Sequence, residues 1–233
     1  MRIFAATLLC ASICASPITA EVVTLEPVGD ASIFSEFPQN ASGADPVLYV
    51  GVTQFGDKRR AVLKFDLSGI PASAVIESAT ITFHVERSRG TLDQHSIHRV
   101  VTPWAEGPSL SPDPGAGGMG VAATGGDVTW SQASFPSTQW LTPGGDFLAP
   151  ASSVAVFGDA GTSATFAGGG LVEDVALFVS DPELHHGWIL IGAESGNFNA
   201  RRLHAREAAD PMLRPRLEVT YFMPSISDGW YLY

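Results

Sequence analysis

An all-β fold is what this sequence predicts: a jelly-roll-like antiparallel β-sandwich with one short helix. Three observations lead there. Apolar residues alternate with period two in most segments, Gly- and Pro-rich turn signals separate them, and one stretch alone carries helical spacing.

Val22 to Leu25 and Ser32 to Phe34 are short strand candidates on either side of Gly29-Asp30, and Val47 to Val52 follows. Gly56-Asp57 then marks a turn into Ala61 to Leu67, where Val62 and Lys64 oppose Leu63, Phe65 and Leu67. The clearest strand is Ser78 to Glu86, with Ala79, Ile81, Phe83 and Val85 on one face and Ser78, Thr80, Thr82 and His84 on the other. His95 to Val101, Val154 to Phe157, Trp188 to Ile191 and Leu217 to Phe222 complete the set. The helix is expected over Leu171 to Pro182, where Leu171, Val172, Val175, Leu177, Phe178 and Val179 make a broad apolar stripe. Pro182 blocks its continuation, and its expected place is a lid over an open end of the sandwich. Residues 107–127 are too rich in Gly and Pro for a packed element and are expected to be a flexible insertion.

Residues 1–20 have the layout of a signal peptide, with Arg2, the apolar run Ile3 to Ala15, and small residues before a cleavage point after Ala20. The run is shorter than the ~20 residues a spanning helix needs, so secretion is expected, to the periplasm, the cell surface or beyond; a retained anchor is the alternative. The sandwich is expected over residues 21–222, with 223–233 a tail lacking any sorting anchor. Both cysteines, Cys10 and Cys14, fall in the leader. The exported chain must therefore be held together by its core rather than by disulfides. With 13 basic against 24 acidic residues, a nucleic acid partner is excluded as an expectation, since phosphate affinity comes mainly from Lys and Arg.

The segments "VLYVG" (47–51), "RRAVLKFDLSGIPASAVIESATITFHV" (59–85), "VTPWAEG" (101–107), "VTW" (128–130), "GWILIGAE" (187–194) and "HAREAADPMLRPRLEVTY" (204–221) occur in an order that resembles the DNRLRE domain family. The resemblance implies an exported bacterial module with a jelly-roll-like sandwich and no catalysis of its own. A related group is similar to carbohydrate-binding modules that recognise alginate, some found beside polysaccharide-degrading domains. The chain departs from the pattern in having no attached catalytic domain, in the 107–127 insertion, and in His185-His186 where Asn-Tyr or Asn-Phe is common.

No G-x-S-x-G elbow, H-E-x-x-H or phosphate loop is present, and no enzyme activity is expected. Asp93, His95 and His98 hint at a metal, but on a strand His98 points away from the other two. His185-His186 reads as a turn pair, and Glu173-Asp174 as favourable charge at a helix start. No cofactor is expected; calcium, a hard ion taking six to eight oxygens, is kept as an option at the loop residues Asp57, Asp159 and Asp181. Among the aromatics Trp104 and Trp188 are expected in the core, Trp130 and Tyr49 are further choices, and Trp140, in a polar loop, is the expected exposed platform for a sugar. Lys58, Arg59, Arg201 and Arg202, next to turns, are the expected ligand-binding cations. Arg60, Arg206 and Glu207 are assigned structural roles, with Arg206 and Glu207 facing opposite ways and each seeking a partner on a neighbouring strand. Arg214 and Arg216 are placed along an edge. The partner expected is a polysaccharide or matrix component; a structural or adhesive unit without a small ligand is the alternative, and a hydrolase or lyase a third.

Overall fold

A computed structural model describes residues 19–113, 118–194 and 198–224. Most of the leader, four residues of the Gly-rich segment and most of the tail lie outside it. In chain order the strands are β1 (Ala20–Leu25), β2 (Pro27–Phe34), β3 (Asn40–Ala41), β4 (Val47–Val52), β5 (Lys58–Phe65), β6 (Val75–Ser88), β7 (Gln94–Arg99) and β8 (Val121–Ala122). Then come β9 (Gln132–Ser134), β10 (Thr138–Gln139), β11 (Ser153–Val156), β12 (Ser163–Ala167), the helix α1 (Gly169–Ser180), β13 (Trp188–Ile191), β14 (Arg201–His204) and β15 (Arg216–Phe222).

Eleven strands join in one curled antiparallel sheet in the order β1-β15-β6-β14-β4-β5-β13-β7-β11, with β12 added to β6 and β2 to β5. The result is the all-β antiparallel sandwich with one helix. The alternation in β6 sets its register: Ala79, Ile81, Phe83 and Val85 are all buried in the main core with Leu63, Phe65, Trp188, Leu217 and Val219. Helix α1 adds Leu171, Val175, Phe178 and Val179 to that core. Its position follows from a stripe of side chains on one helix face.

Strand β5 is apolar on both faces. Val62, opposite Leu63, belongs to a second cluster with Ala31, Ile33, Ile189, Trp104, Val128 and Trp140. The segment between β7 and β11 therefore folds back over the outer face of the sheet. The described parts of 107–127 are tied to the rest of the chain by polar contacts. Asp127 is fully buried and accepts from the Thr124 N–H at 2.6 Å and the Ser109 N–H at 3.2 Å; Ser111 donates to Asp45 at 2.7 Å. Strand β8 pairs with β3 through Asn40–Ala122 and Ala41–Val121. The carboxylates of Asp127 and Asp45 replace missing backbone partners, which is how a Gly-rich segment can be fixed without its own apolar core.

Candidate functional site

The expected cationic face does not assemble as the sequence suggested. Arg201 is 1% exposed. It lies two residues before Leu203 on β14, so both occupy the core side of the strand. Its guanidinium donates to the carbonyls of Arg89 at 2.9 Å, Asn199 at 3.2 Å, Ala200 at 3.1 Å, Thr91 at 2.9 Å and Phe157 at 3.4 Å. Burial pulls its pKa down. Arg202 is buried too and forms a bidentate pair with Glu86. Trp140 is a correction of the same kind: it is 4% exposed and donates its indole N–H to the Thr129 carbonyl at 2.9 Å. Lys58 keeps an exposed side chain but pairs with Glu194 at 3.2 Å.

Arg60 makes a two-pronged pair with Glu194 at 2.7 and 2.8 Å, bonds the Gly144 carbonyl at 2.7 Å, and lies over the Trp130 ring. Arg206 makes a like pair with Glu106 at 2.7 and 2.9 Å. Arg206 and Glu207 were expected to face apart, yet Arg206 Nε lies 2.8 Å from Glu207 Oε1. The pair sits in a turn after β14, not in a strand, so the two-residue period does not apply. Arg214 pairs with Glu26 at 3.0 Å, and Arg216 bonds the Pro211 carbonyl at 3.1 Å.

The histidines do not converge. His95 is buried beside Phe157, with Nδ1 donating to the Asp93 carbonyl at 3.0 Å; His98 bonds the Leu148 carbonyl and Ser96 on the other side of the strand. Desolvation pushes His95 down to about 4. His185 stacks on Phe178 and bonds the Phe65 carbonyl at 2.6 Å. Asp174 is not at the helix start but in the second turn, where it accepts from the Trp188 indole at 2.8 Å and from Ser152. Its burial makes it a polar anchor for the helix, correcting the dipole reading. The loop acids kept as an option for calcium have contacts of their own: Asp57 is bound by Thr53 at 3.0 Å, Asp159 by Ser88 at 3.2 Å, and the Asp181 N–H closes α1. Among the described residues the grouping of three carboxylate or imidazole donors is Asp30, Glu106 and Glu207.

What the sequence reading missed is a cleft at the end of the sheet where the β4–β5 hairpin meets the exit of β6 and the entry of β14. It has a volume of about 510 Å³ and is lined by Thr53, Phe55, Asp57, Arg59, Arg89 and Phe198, with Gln54 and Ala200. Phe55 is 82% exposed at the tip of the hairpin. The tip is held by Thr53, whose hydroxyl accepts from the N–H groups of Phe55 and Asp57 at 3.2 Å while donating to the Asp57 carboxylate. Across the cleft, Gly90 turns the chain at φ 79, and a Cβ there would stand 1.8 Å from the Phe198 carbonyl oxygen. That close approach sets Arg89 beside Phe198. Arg89 has no acidic partner within 4.0 Å among the described residues. Arg59, at the cleft's inner wall, is held by Glu36 at 2.7 Å and lies over the Tyr49 ring.

Residues 21–108 match the family model of carbohydrate-binding module family 96.

The matched segment runs from the second residue of β1 past the end of β7 and includes Phe55, Arg59 and Arg89; Phe198 and Ala200 come from outside it. The match bears on the carbohydrate-binding side of the resemblance and not on the DNRLRE name. No curated protein matches the chain. Arg201 acts on the cleft from below, since four of its five carbonyl partners belong to the segments 89–91 and 199–200 that frame it. Asn199 adds a second tie, accepting from the Val52 N–H at 2.8 Å and donating to the Ala193 carbonyl at 2.8 Å.

Proposed function

We propose that the protein is an exported, non-catalytic polysaccharide-binding module, and that the cleft between Phe55 and Arg89 is where the chain of sugars lies. The observation that carries this reading is one cleft lined by an exposed aromatic ring and by an arginine with no acidic partner among the described residues, both inside a segment that matches a carbohydrate-binding family. A phenyl ring offers its face to the C–H side of a sugar, while a guanidinium offers a fork of donors for hydroxyls or a carboxylate. Arg89 makes acidic polysaccharides the first class to try. Of the cations named from sequence, Arg59 remains at the wall of the cleft, and Lys58, Arg201 and Arg202 act through Glu194, the backbone and Glu86 instead.

Affinity electrophoresis against soluble acidic and neutral polysaccharides, alginate included, tests the reading. Retardation of the native protein is expected, reduced at least tenfold in apparent affinity by Phe55→Ala and Arg89→Ala at unchanged melting temperature. No retardation by any polymer would favour the second reading, a structural or adhesive unit without a small ligand; the many internally paired arginines, Arg60, Arg201, Arg202 and Arg206, fit that role.

A further inference from the structure

Three carboxylates from distant parts of the chain meet beside Arg206. Asp30 is on β2, Glu106 follows Trp104 in the connection after β7, and Glu207 lies in the turn after β14. One oxygen from each lies within 4.8 Å of the other two. Asp30 is 1% exposed. Its Oδ2 accepts the Arg206 N–H at 2.9 Å, while Oδ1 is buried with no hydrogen-bond partner among the described residues. Glu207 Oε2 is buried and unpartnered as well.

We propose that Asp30, Glu106 and Glu207 form a binding site for a divalent cation of the calcium class. A carboxylate oxygen taken out of water with no donor has lost its hydration for nothing, and such an atom points to an absent partner. The neighbouring cations do not supply it. Arg206 commits Nε and Nη2 to Glu106 at 2.7 and 2.9 Å, and Nε also approaches Glu207 Oε1. The Lys64 ammonium is on the Trp104 carbonyl at 3.3 Å, and Arg214 is on Glu26 at 3.0 Å. The Arg206 guanidinium meets Glu106 and Glu207, and Asp30 has only the Arg206 backbone N–H; with all three carboxylates ionised, one cation leaves a balance that a doubly charged ion matches. An all-oxygen donor set suits a hard ion. Ca²⁺ accepts six to eight oxygens in a flexible shell at about 2.3–2.6 Å, whereas Mg²⁺ demands near-ideal octahedral geometry and keeps several of its own waters. The ion would clip β2, the connection after β7 and the turn after β14 together.

The test uses the full exported chain, stripped of cations by chelator and melted with and without Ca²⁺. Saturating Ca²⁺ is expected to raise Tm by roughly 5 °C or more, from binding to the folded state alone, and calorimetric titration to show one site. Glu207→Gln, at a partly exposed position, is expected to fold and to lose both the rise and the heat; Asp30→Asn is expected to do the same where it folds. A Tm indifferent to Ca²⁺, or a rise that survives in Glu207→Gln, overturns the proposal. A Tm that climbs on acidification below pH 7 with no response to Ca²⁺ also overturns it, and identifies a proton shared between Asp30 and Glu207 as the missing partner.

Discussion

Arg201 shows how one side chain supports a surface it does not reach. Five backbone carbonyls converge on its guanidinium, and the segments they belong to present Arg89 and Phe198 to the cleft. The Ala200 carbonyl also accepts from the Arg89 N–H at 3.0 Å, but each buried carbonyl that loses its donor with the guanidinium costs on the order of 1–3 kcal/mol. Arg201→Met is therefore expected to lower stability by about 3 kcal/mol or more in urea denaturation. Phe55→Ala, at an 82% exposed position, is expected to change it by less than about 0.5 kcal/mol. His95 gives a pH dependence with a definite sign. Desolvation lowers its folded pKa to about 4, with Arg201 adding to the shift and the Asp93 carbonyl opposing it. The unfolded chain then binds the proton that the folded chain refuses, so this contribution is complete above about pH 6.5 and is lost as pH falls toward 4. Between pH 4 and 7 the unfolding free energy of the native protein is expected to change more positively with rising pH than that of His95→Phe, the difference being the His95 contribution. The burial of Arg201 was illegible in "RRLH" because an arginine occupies the position where the alternation calls for an apolar residue. Only the carbonyls gathered from residues 89, 91, 157, 199 and 200 make that site habitable for a charge.

At the level of elements, the strands with strong alternation were legible and the short ones were not. β6 was readable because Ala79, Ile81, Phe83 and Val85 fall on one face and polar residues on the other. Strands β3, β8, β9 and β10, two or three residues long, carry no periodicity to detect. Trp140 was misplaced for a related reason. Its polar neighbours suggest a surface loop, yet the loop lies on the outer face of β2, β5 and β13 and the ring fills the second cluster there. Trp140→Ala is expected to cost about 3–5 kcal/mol, as for a large buried aromatic. The turn at Gly90 is the other exposed dependency. Gly90→Ala must move the Phe198 carbonyl, which would meet the new Cβ at 1.8 Å, and must hold a side chain at φ 79. It is expected to weaken polysaccharide binding in affinity electrophoresis as well as to lower Tm, because the collision is with backbone that frames the cleft.

For the whole molecule, the formal charge of −11 sets the terms on which an anionic polymer approaches. Repulsion acts at long range and Arg89 attracts only nearby. At low ionic strength both are felt; at about 1 M salt the Debye length is about 3 Å. Binding of an acidic polysaccharide through Arg89 is expected to weaken at high salt, and binding of a neutral one to hold, as affinity electrophoresis across a salt series would show. The sequence by itself determined the antiparallel sandwich, its helix and much of its core face, because period-two and helical patterns are local and set by burial on one side. Tertiary structure alone decided which arginines turn inward, which tryptophan is covered, and where three distant segments bring Phe55, Arg89 and Phe198 around one cleft. Those outcomes depend on partners tens to over a hundred residues away, and a side chain's own neighbours in the chain carry no record of them.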